Sequence, residues 1–191
     1  MHRWNWYYRA VICPDLLLKH QCAHLHQVPR LDRVTVHFSL GAAAQDRRAL
    51  LPPLLALELW TGQHPQVLSA RRACASFGLR AGVPLGGRTT LRGARALRAL
   101  EQLLHERWPR EDGFQPRRAS LGSGRLPLRL QGGWAGLSLF EAQETRRWGG
   151  PGADVEVRVT PAWGLGPLLS AWQLPLQEKG RPHASRPASR S

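Results

Sequence analysis

Carboxylates are scarce in this chain and are missing altogether from one long stretch. The 191 residues include 27 Lys and Arg but only 13 Asp and Glu, which gives a formal net charge of +14. Between Leu59 and Leu100 there is no acidic residue, while the arginines are Arg71, Arg72, Arg80, Arg88, Arg92, Arg95 and Arg98. Folded surfaces normally intersperse the two signs, because like charges repel. The stretch favours a polyanionic partner, and phosphate suits the planar guanidinium group best. A solvated basic face without a ligand is the alternative.

The sequence also lacks the motifs of catalysis and of nucleotide binding. It contains no Gly-x-Ser-x-Gly, no P-loop and no Gly-x-Gly-x-x-Gly after a strand-like segment. The few carboxylates form no pair suited to acid–base chemistry. We therefore expect a protein that is not an enzyme and that has no cofactor.

Cysteines and long apolar runs are few as well. Cys13, Cys22 and Cys74 are an odd number at irregular spacing, which excludes a disulfide framework and fits a reducing compartment. No apolar run reaches the roughly 20 residues that a membrane-spanning helix needs, so we expect no membrane partner. An acidic protein or an anionic membrane surface would also satisfy the positive charge, but a pI of about 11.5 is typical of nucleic-acid binding.

A histidine-rich segment follows the N-terminal region. His20, Cys22, His24 and His26 form a His-x-Cys-x-His-x-His pattern. Zinc sites favour wider paired spacings and a second pair of ligands elsewhere, so a solvated or RNA-facing cluster is the favoured interpretation and we predict no metal site.

The pattern of the first half predicts strands, one helix and one long loop. Apolar residues alternate with polar ones from Arg33 to Leu40, which indicates a half-buried strand. Asp46 is a candidate N-cap, and a helix containing Pro53 near its start is expected to run to Trp60 and end at Gly62. Strands are predicted at residues 66–70 and 85–91, and the loop of residues 71–84 between them is long enough to be functional.

The second half predicts two helices and one clear strand. A helix is expected from Ala94 to Trp108, with an apolar stripe and with Gln102 on its polar face. Residues 122–133 are interpreted as a loop that leads to a strand ending at Phe140. A strand at residues 154–160 and a short helix ending at Trp172 follow. The eight tryptophans are candidates for stacking on bases, but core packing is the better interpretation for Trp108 and Trp172.

Several strings together resemble the large-subunit ribosomal proteins of the universal L-five family. They begin at Gln27 (QVPRLDRV), Thr61 (TGQHP), Ala70 (ARRA), Phe77 (FGLRAGVPLG) and Thr89 (TTLRG). Their order and intervals match those of the family from about Tyr7 to Leu176, and the tract from Thr61 to Gly93 is the most specific.

The resemblance implies an α+β fold, with a mainly antiparallel sheet and helices packed against it. It implies a structural role in the central protuberance of the large ribosomal subunit. The implied partners are 5S-type and large-subunit ribosomal RNA, the peptidyl-site tRNA and neighbouring ribosomal proteins, including one of the small-subunit head. The RNA-binding positions carried over are His37, Gln63, Arg71, Arg72, Arg88, Thr90 and Arg92. The positions carried over for the tRNA-contacting loop are Ser76, Phe77, Arg80 and Pro84.

The chain departs from the family pattern at several places. His37 stands where the family usually has asparagine, Pro52-Pro53 interrupts a helix, and residues 122–130 match poorly. Arginine in place of lysine and a basic tail are typical of a diverged organellar member, so we expect a mitochondrial ribosome, with a plastid or bacterial one as the alternative. The expected division is an N-terminal extension (1–27), the RNA-binding domain (28–176) and a flexible basic tail (177–191). A free-standing RNA- or tRNA-binding accessory factor with the same fold is the alternative function.

Overall fold

The computed structural model describes residues 3–107, 123–130 and 152–172 of the chain. In these residues five strands form one antiparallel sheet: β1 (Arg30–Ser39), β2 (Gln66–Ser69), β3 (Pro84–Arg92), β4 (Arg125–Leu130) and β5 (Ala153–Thr160). Their order across the sheet is β2-β3-β1-β5-β4, so β2 and β4 are the edge strands. The central strand β1 pairs with β3 on one side and with β5 on the other.

The described helices pack against one face of this sheet. They are α1 (Arg3–Tyr7), α2 (Cys13–Lys19), α3 (Leu51–Thr61), α4 (Gly93–Gln102) and α5 (Leu165–Ala171). A π-helical turn (Tyr8–Ile12) joins α1 to α2. Helices α3 and α4 contact β3, α4 also contacts β1, and α5 contacts β5. The predicted α+β fold with a mainly antiparallel sheet is confirmed. No described helix is both long and apolar enough to cross a membrane.

Alternating side chains build the core between the sheet and the helices. The predicted strands around β1 and β5 are confirmed, and their apolar residues are buried: Val34, Val36, Phe38, Val155, Val157 and Val159. The polar residues between them point to the opposite face, as the period of two in a strand requires. On this face Ser39, Arg88 and Arg92 are exposed.

Strand β4 corrects part of the predicted loop at residues 122–133, because residues 125–130 form a strand. Leu126, Leu128 and Leu130 are buried, while Arg125, Pro127 and Arg129 are exposed. The proline obscured this alternation in the sequence, but an edge strand tolerates proline because its outer amides need no ladder partner. The strand that was predicted to end at Phe140 lies outside the described residues.

Helix α3 has the predicted ends and an unusually close contact with β3. Asp46 caps the preceding turn, its carboxylate accepting from the Arg48 amide at 2.9 Å, and Gly62 ends the helix in the left-handed conformation. A Cβ on Gly87 of β3 would lie 2.6 Å from Leu54 Cδ2 and 2.8 Å from the Phe38 ring. Glycine at this position therefore allows α3 to approach the sheet.

Helix α4 differs from its prediction at both the C-terminal end and the polar face. It changes to a π-helical turn at Leu103–Arg107, and Trp108 lies outside the described residues. Gln102, expected on the solvated face, accepts a hydrogen bond from Trp60 Nε1 at 3.1 Å. Trp172 is buried as expected, and its ring centroid lies 5.7 Å from that of Trp4.

The N-terminal helices contribute to the same core. Trp4, Ile12 and Leu16 are buried with the sheet residues. The Tyr8 hydroxyl donates to the Pro29 carbonyl oxygen at 2.8 Å, and burial raises the pKa of Tyr8 to about 12. The proposed boundary at residue 27 stays a prediction, and the tail (177–191) lies outside the described residues.

Candidate nucleic-acid interface

The polar face of the sheet brings together four of the predicted RNA-binding residues. Strand register places His37 of β1 directly opposite Arg88 of β3, and Thr90 and Arg92 follow at alternate positions along β3. All four therefore point away from the helices, because alternate residues of a strand share a face. Their joint position was not evident from the sequence, since it depends on the pairing of β1 with β3.

Thr89 and Thr90 are neighbours that point to opposite faces. Thr89 is buried, and its Oγ1 has no hydrogen-bond partner among the described residues. Thr90 is half-buried on the polar face and lies opposite Thr35. Only the Thr90 hydroxyl is on the side from which a ligand can approach.

His37 lies between a cation and an anion. Arg88 is its partner on β3, and Asp154 is its partner on β5, with His37 Nε2 3.8 Å from Asp154 Oδ2. The other carboxylate oxygen of Asp154 lies 3.8 Å from Arg129 Nε. Asp154 of β5 therefore lies between His37 and Arg129, and Asp32 Oδ2 of β1 lies 3.6 Å from Arg33 Nε. Arg88 and Arg92 form no ion pair with any carboxylate of the described residues, so phosphate binding is most favourable on the β3 side.

The remaining predicted RNA-binding residues lie outside β1 and β3. Gln63 follows α3 in a turn where the Thr61 hydroxyl donates to the Gln63 carbonyl oxygen at 3.1 Å. Arg71 and Arg72 are exposed just beyond the end of β2, at the base of the long loop. Strand β3 runs from this loop to Arg92, about 27 Å for eight steps of 3.4 Å. Of the predicted RNA-binding residues, Arg71 and Arg72 thus lie in the loop region. His37, Arg88, Thr90 and Arg92 lie on the sheet.

The long loop of residues 71–84 is not irregular. Its backbone bonds continue the hairpin that β2 and β3 form. Its base is closed by bonds from the Ala70 amide to the Val83 carbonyl and from the Gly82 amide to the Ala70 carbonyl, both 2.9 Å. Its tip, residues 74–79, is closed by a pair of backbone bonds between Cys74 and Leu79. Pro84 begins β3 at the end of the loop.

The loop tip exposes an aromatic ring. Phe77 is 77% exposed and therefore does not pack into the domain. Ser76 and Arg80 are exposed on either side of it, with Ser76 Oγ 3.2 Å from Cys74 Sγ, and this hydrogen bond lowers the pKa of the thiol. An exposed ring with an exposed guanidinium group three residues along the chain is suited to stacking on a base and binding a nearby phosphate.

The histidine-rich segment forms no metal centre among the described residues. His20 lies against Trp163, with ring centroids 5.1 Å apart, and no described group of three or more histidine, cysteine or acidic residues could hold an ion. A solvated cluster remains the favoured interpretation.

Sequence reasoning missed several arginines of the polar face. Arg125 was placed in a loop, and Arg33 and Arg158 were recognised only as strand residues. In the structure, Arg33 lies opposite both Arg92 and Arg158, and Arg158 lies opposite Arg125. The alternating pattern of residues 154–160 assigned Arg158 to a polar face, but it did not reveal its neighbours.

Comparisons with known proteins show similarity to ribosomal proteins. Residues 24–80, which include β1, α3, β2 and the loop tip, match the family model "Ribosomal protein L5". The chain is 41% identical over 108 residues to the large ribosomal subunit protein uL5 of Synechococcus sp. (strain RCC307), which covers 56% of this chain and 60% of that protein. The same protein of Synechococcus elongatus (strain ATCC 33912) is 39% identical over 108 residues, with the same coverage. The chain thus spans about 60% of the length of these relatives. Over the matched region, the chain is similar to the ribosomal protein L5 family.

Proposed function

We propose that this protein is a non-enzymatic constituent of the large ribosomal subunit, bound to ribosomal RNA through the polar face of its sheet. The observation that carries the proposal is the alignment of His37, Arg88, Thr90 and Arg92 on one face of β1 and β3. Arginine side chains supply affinity through phosphates, and the threonine and histidine fix the register of the RNA through hydrogen bonds. The similarity to ribosomal protein L5 supports a ribosomal RNA as the ligand.

The finer parts of the proposal rest on the resemblance to the family. The RNA is of the 5S type, and the site is the central protuberance of the large subunit. The loop tip with Phe77 and Arg80 contacts the elbow of the peptidyl-site tRNA, and a neighbouring surface meets a protein of the small-subunit head. The exposure of Phe77 supports the loop assignment, since a packed ring is not available for stacking.

The proposed compartment is the mitochondrial matrix, within the mitochondrial ribosome. Only Lys19 and Lys179 are lysines, and the remaining basic side chains are arginines. The relatives described above are cyanobacterial proteins, which fits a bacterial or plastid ribosome equally well. Fractionation of source cells with detection of the native protein distinguishes these compartments.

Sedimentation tests the function against its alternative, a free-standing RNA-binding factor. Source-cell lysate is run on a sucrose gradient before and after a wash with high salt, and RNA crosslinked to the protein is sequenced. A ribosomal protein stays with the large subunit after the wash and crosslinks to 5S-type RNA. An accessory factor leaves the subunit in high salt, and that result would contradict the proposal.

A further inference from the structure

Four arginines form a row across four adjacent strands. In order across the sheet they are Arg92 of β3, Arg33 of β1, Arg158 of β5 and Arg125 of β4, each a direct cross-strand partner of the next. Adjacent strands lie about 4.8 Å apart, so the row crosses about 14 Å of the sheet. It lies at the opposite end of β3 from the long loop.

Like charges that are directly opposite each other destabilise a sheet, so the row needs counterions. Two carboxylates lie close to it: Asp32 Oδ2 is 3.6 Å from Arg33 Nε and 4.0 Å from Arg158 Nε, and Glu156 Oε1 is 3.5 Å from Arg125 Nε. Arg92 has no acidic partner among the described residues. Two carboxylates for four guanidinium groups leave the row positively charged.

The existing ion pairs are open to replacement by a phosphate. The side chain of Arg125 is 54% exposed and that of Arg158 is 37% exposed, with long N–O distances in both pairs. Exposed pairs of this kind contribute little to stability. A backbone phosphate offers two free oxygens that match the guanidinium fork, and its charge-assisted bonds are shorter than the 3.5 and 4.0 Å of these pairs.

We infer that an RNA backbone crosses the strands along this row, so that the RNA-binding surface extends from β3 over β1 and β5 to β4. Arg158 and Arg125 are then phosphate-binding residues of a second half of the surface. The inference rests on the RNA-binding function proposed above. The bound RNA segment runs across the sheet. Thr90 and His37, the groups that touch bases, lie beside the path of this segment rather than at its end.

Salt-dependent binding of the full chain to a transcribed cyanobacterial 5S ribosomal RNA tests this extension. The double variant Arg125→Gln/Arg158→Gln should reduce the slope of log K against log salt by about 1.4–1.8, since each phosphate contributes roughly 0.7–0.9. On the same relation, affinity at physiological salt should fall by on the order of 10- to 30-fold. Arg125→Lys/Arg158→Lys, which keeps both charges, should retain most of the slope.

The matched control removes two exposed arginines from the other side of the molecule. Arg95→Gln/Arg98→Gln alters α4, which packs on the opposite face of the sheet. An equal loss of slope in this control would show that only net charge matters, and it would overturn the inference.

Unchanged binding of Arg125→Gln/Arg158→Gln, with loss of binding in Arg88→Gln/Arg92→Gln, would also overturn the inference but would leave the proposed function standing. If the unaltered protein fails to bind 5S ribosomal RNA, the proposed ligand itself is wrong. Circular dichroism establishes that each variant is folded.

Discussion

Trp60 of α3 donates a hydrogen bond from its indole Nε1 to Oε1 of Gln102, the last residue of α4, at 3.1 Å. Trp60 is buried, and this contact joins the two helices that cover β3. It explains why the ring serves the core rather than stacking on RNA. It also explains why a glutamine lies on a helix face that the sequence pattern assigned to solvent.

Replacing Gln102 with leucine should lower the free energy of unfolding by about 1–2 kcal/mol, because the buried indole N–H loses its acceptor. Urea denaturation of the purified protein measures the change. In a Trp60→Phe background the same substitution should have little effect, since the donor is already gone. An equal loss in both backgrounds would rule out the hydrogen bond as the cause. Arg95→Gln on the same helix is the control for a general effect on α4.

Adjacent threonines on β3 should respond in opposite ways to substitution by valine, which has nearly the same shape. Thr89→Val removes a buried hydroxyl that has no described partner, so stability should rise by about 1 kcal/mol with RNA affinity unchanged. Thr90→Val should leave stability within about 0.5 kcal/mol but weaken RNA binding by about 1 kcal/mol. Chemical denaturation and RNA footprinting measure the two quantities. Unfolding of Thr90→Val would place this residue in the core instead.

Arg88 and Arg92 should each contribute to the salt dependence of RNA binding, because each is proposed to bind a phosphate. Replacing both with glutamine should reduce the slope of log K against log salt by about 1.4–1.8. Arg71→Gln/Arg72→Gln should produce a comparable reduction only if the RNA also reaches the base of the loop. Fluorescence anisotropy over a salt series measures each slope. An unchanged slope in the first variant would remove β3 from the interface.

The loop tip should affect tRNA binding without affecting assembly. Replacing residues 75–78 with Asn-Gly keeps the Cys74–Leu79 pairing in a two-residue hairpin turn and removes Phe77. Large subunits carrying this variant should form normally, because β2, β3 and the polar face are untouched. Retention of peptidyl-site tRNA, measured by filter binding, should fall. Poor assembly with normal tRNA retention would show that the loop is structural.

Tyr8 should produce a stability change at high pH. Its pKa is raised from 10.0 to about 12 by burial, so its contribution to stability is fully present below pH 10 and is lost as pH rises towards 12. Tyr8→Phe should cost about 0.5–1.5 kcal/mol at neutral pH, since the bond to the Pro29 carbonyl is lost. It should also make the decline of stability between pH 10 and 12 shallower. Denaturation at several pH values tests this, and an unchanged decline would assign the effect to other groups.

Local patterns predicted those elements whose signals lie within a short segment. The alternation in β1 and β5, the Asp46 cap and the end of α3 at Gly62 were all predicted correctly. These features depend on the period of the strand, on a side chain bonding to a nearby amide and on a backbone conformation that favours glycine. Strand β4 was missed because Pro127 interrupts a short pattern.

The sequence by itself determined the charge of the protein, the two faces of β1 and β5 and the absence of catalytic motifs. Only the tertiary structure decided which charged side chains are neighbours. Arg33, Arg92, Arg125 and Arg158 come from four separate segments, and their alignment follows from strand order and register. The alternation of a strand reveals its two faces, but pairing between distant segments is set by packing of the whole core.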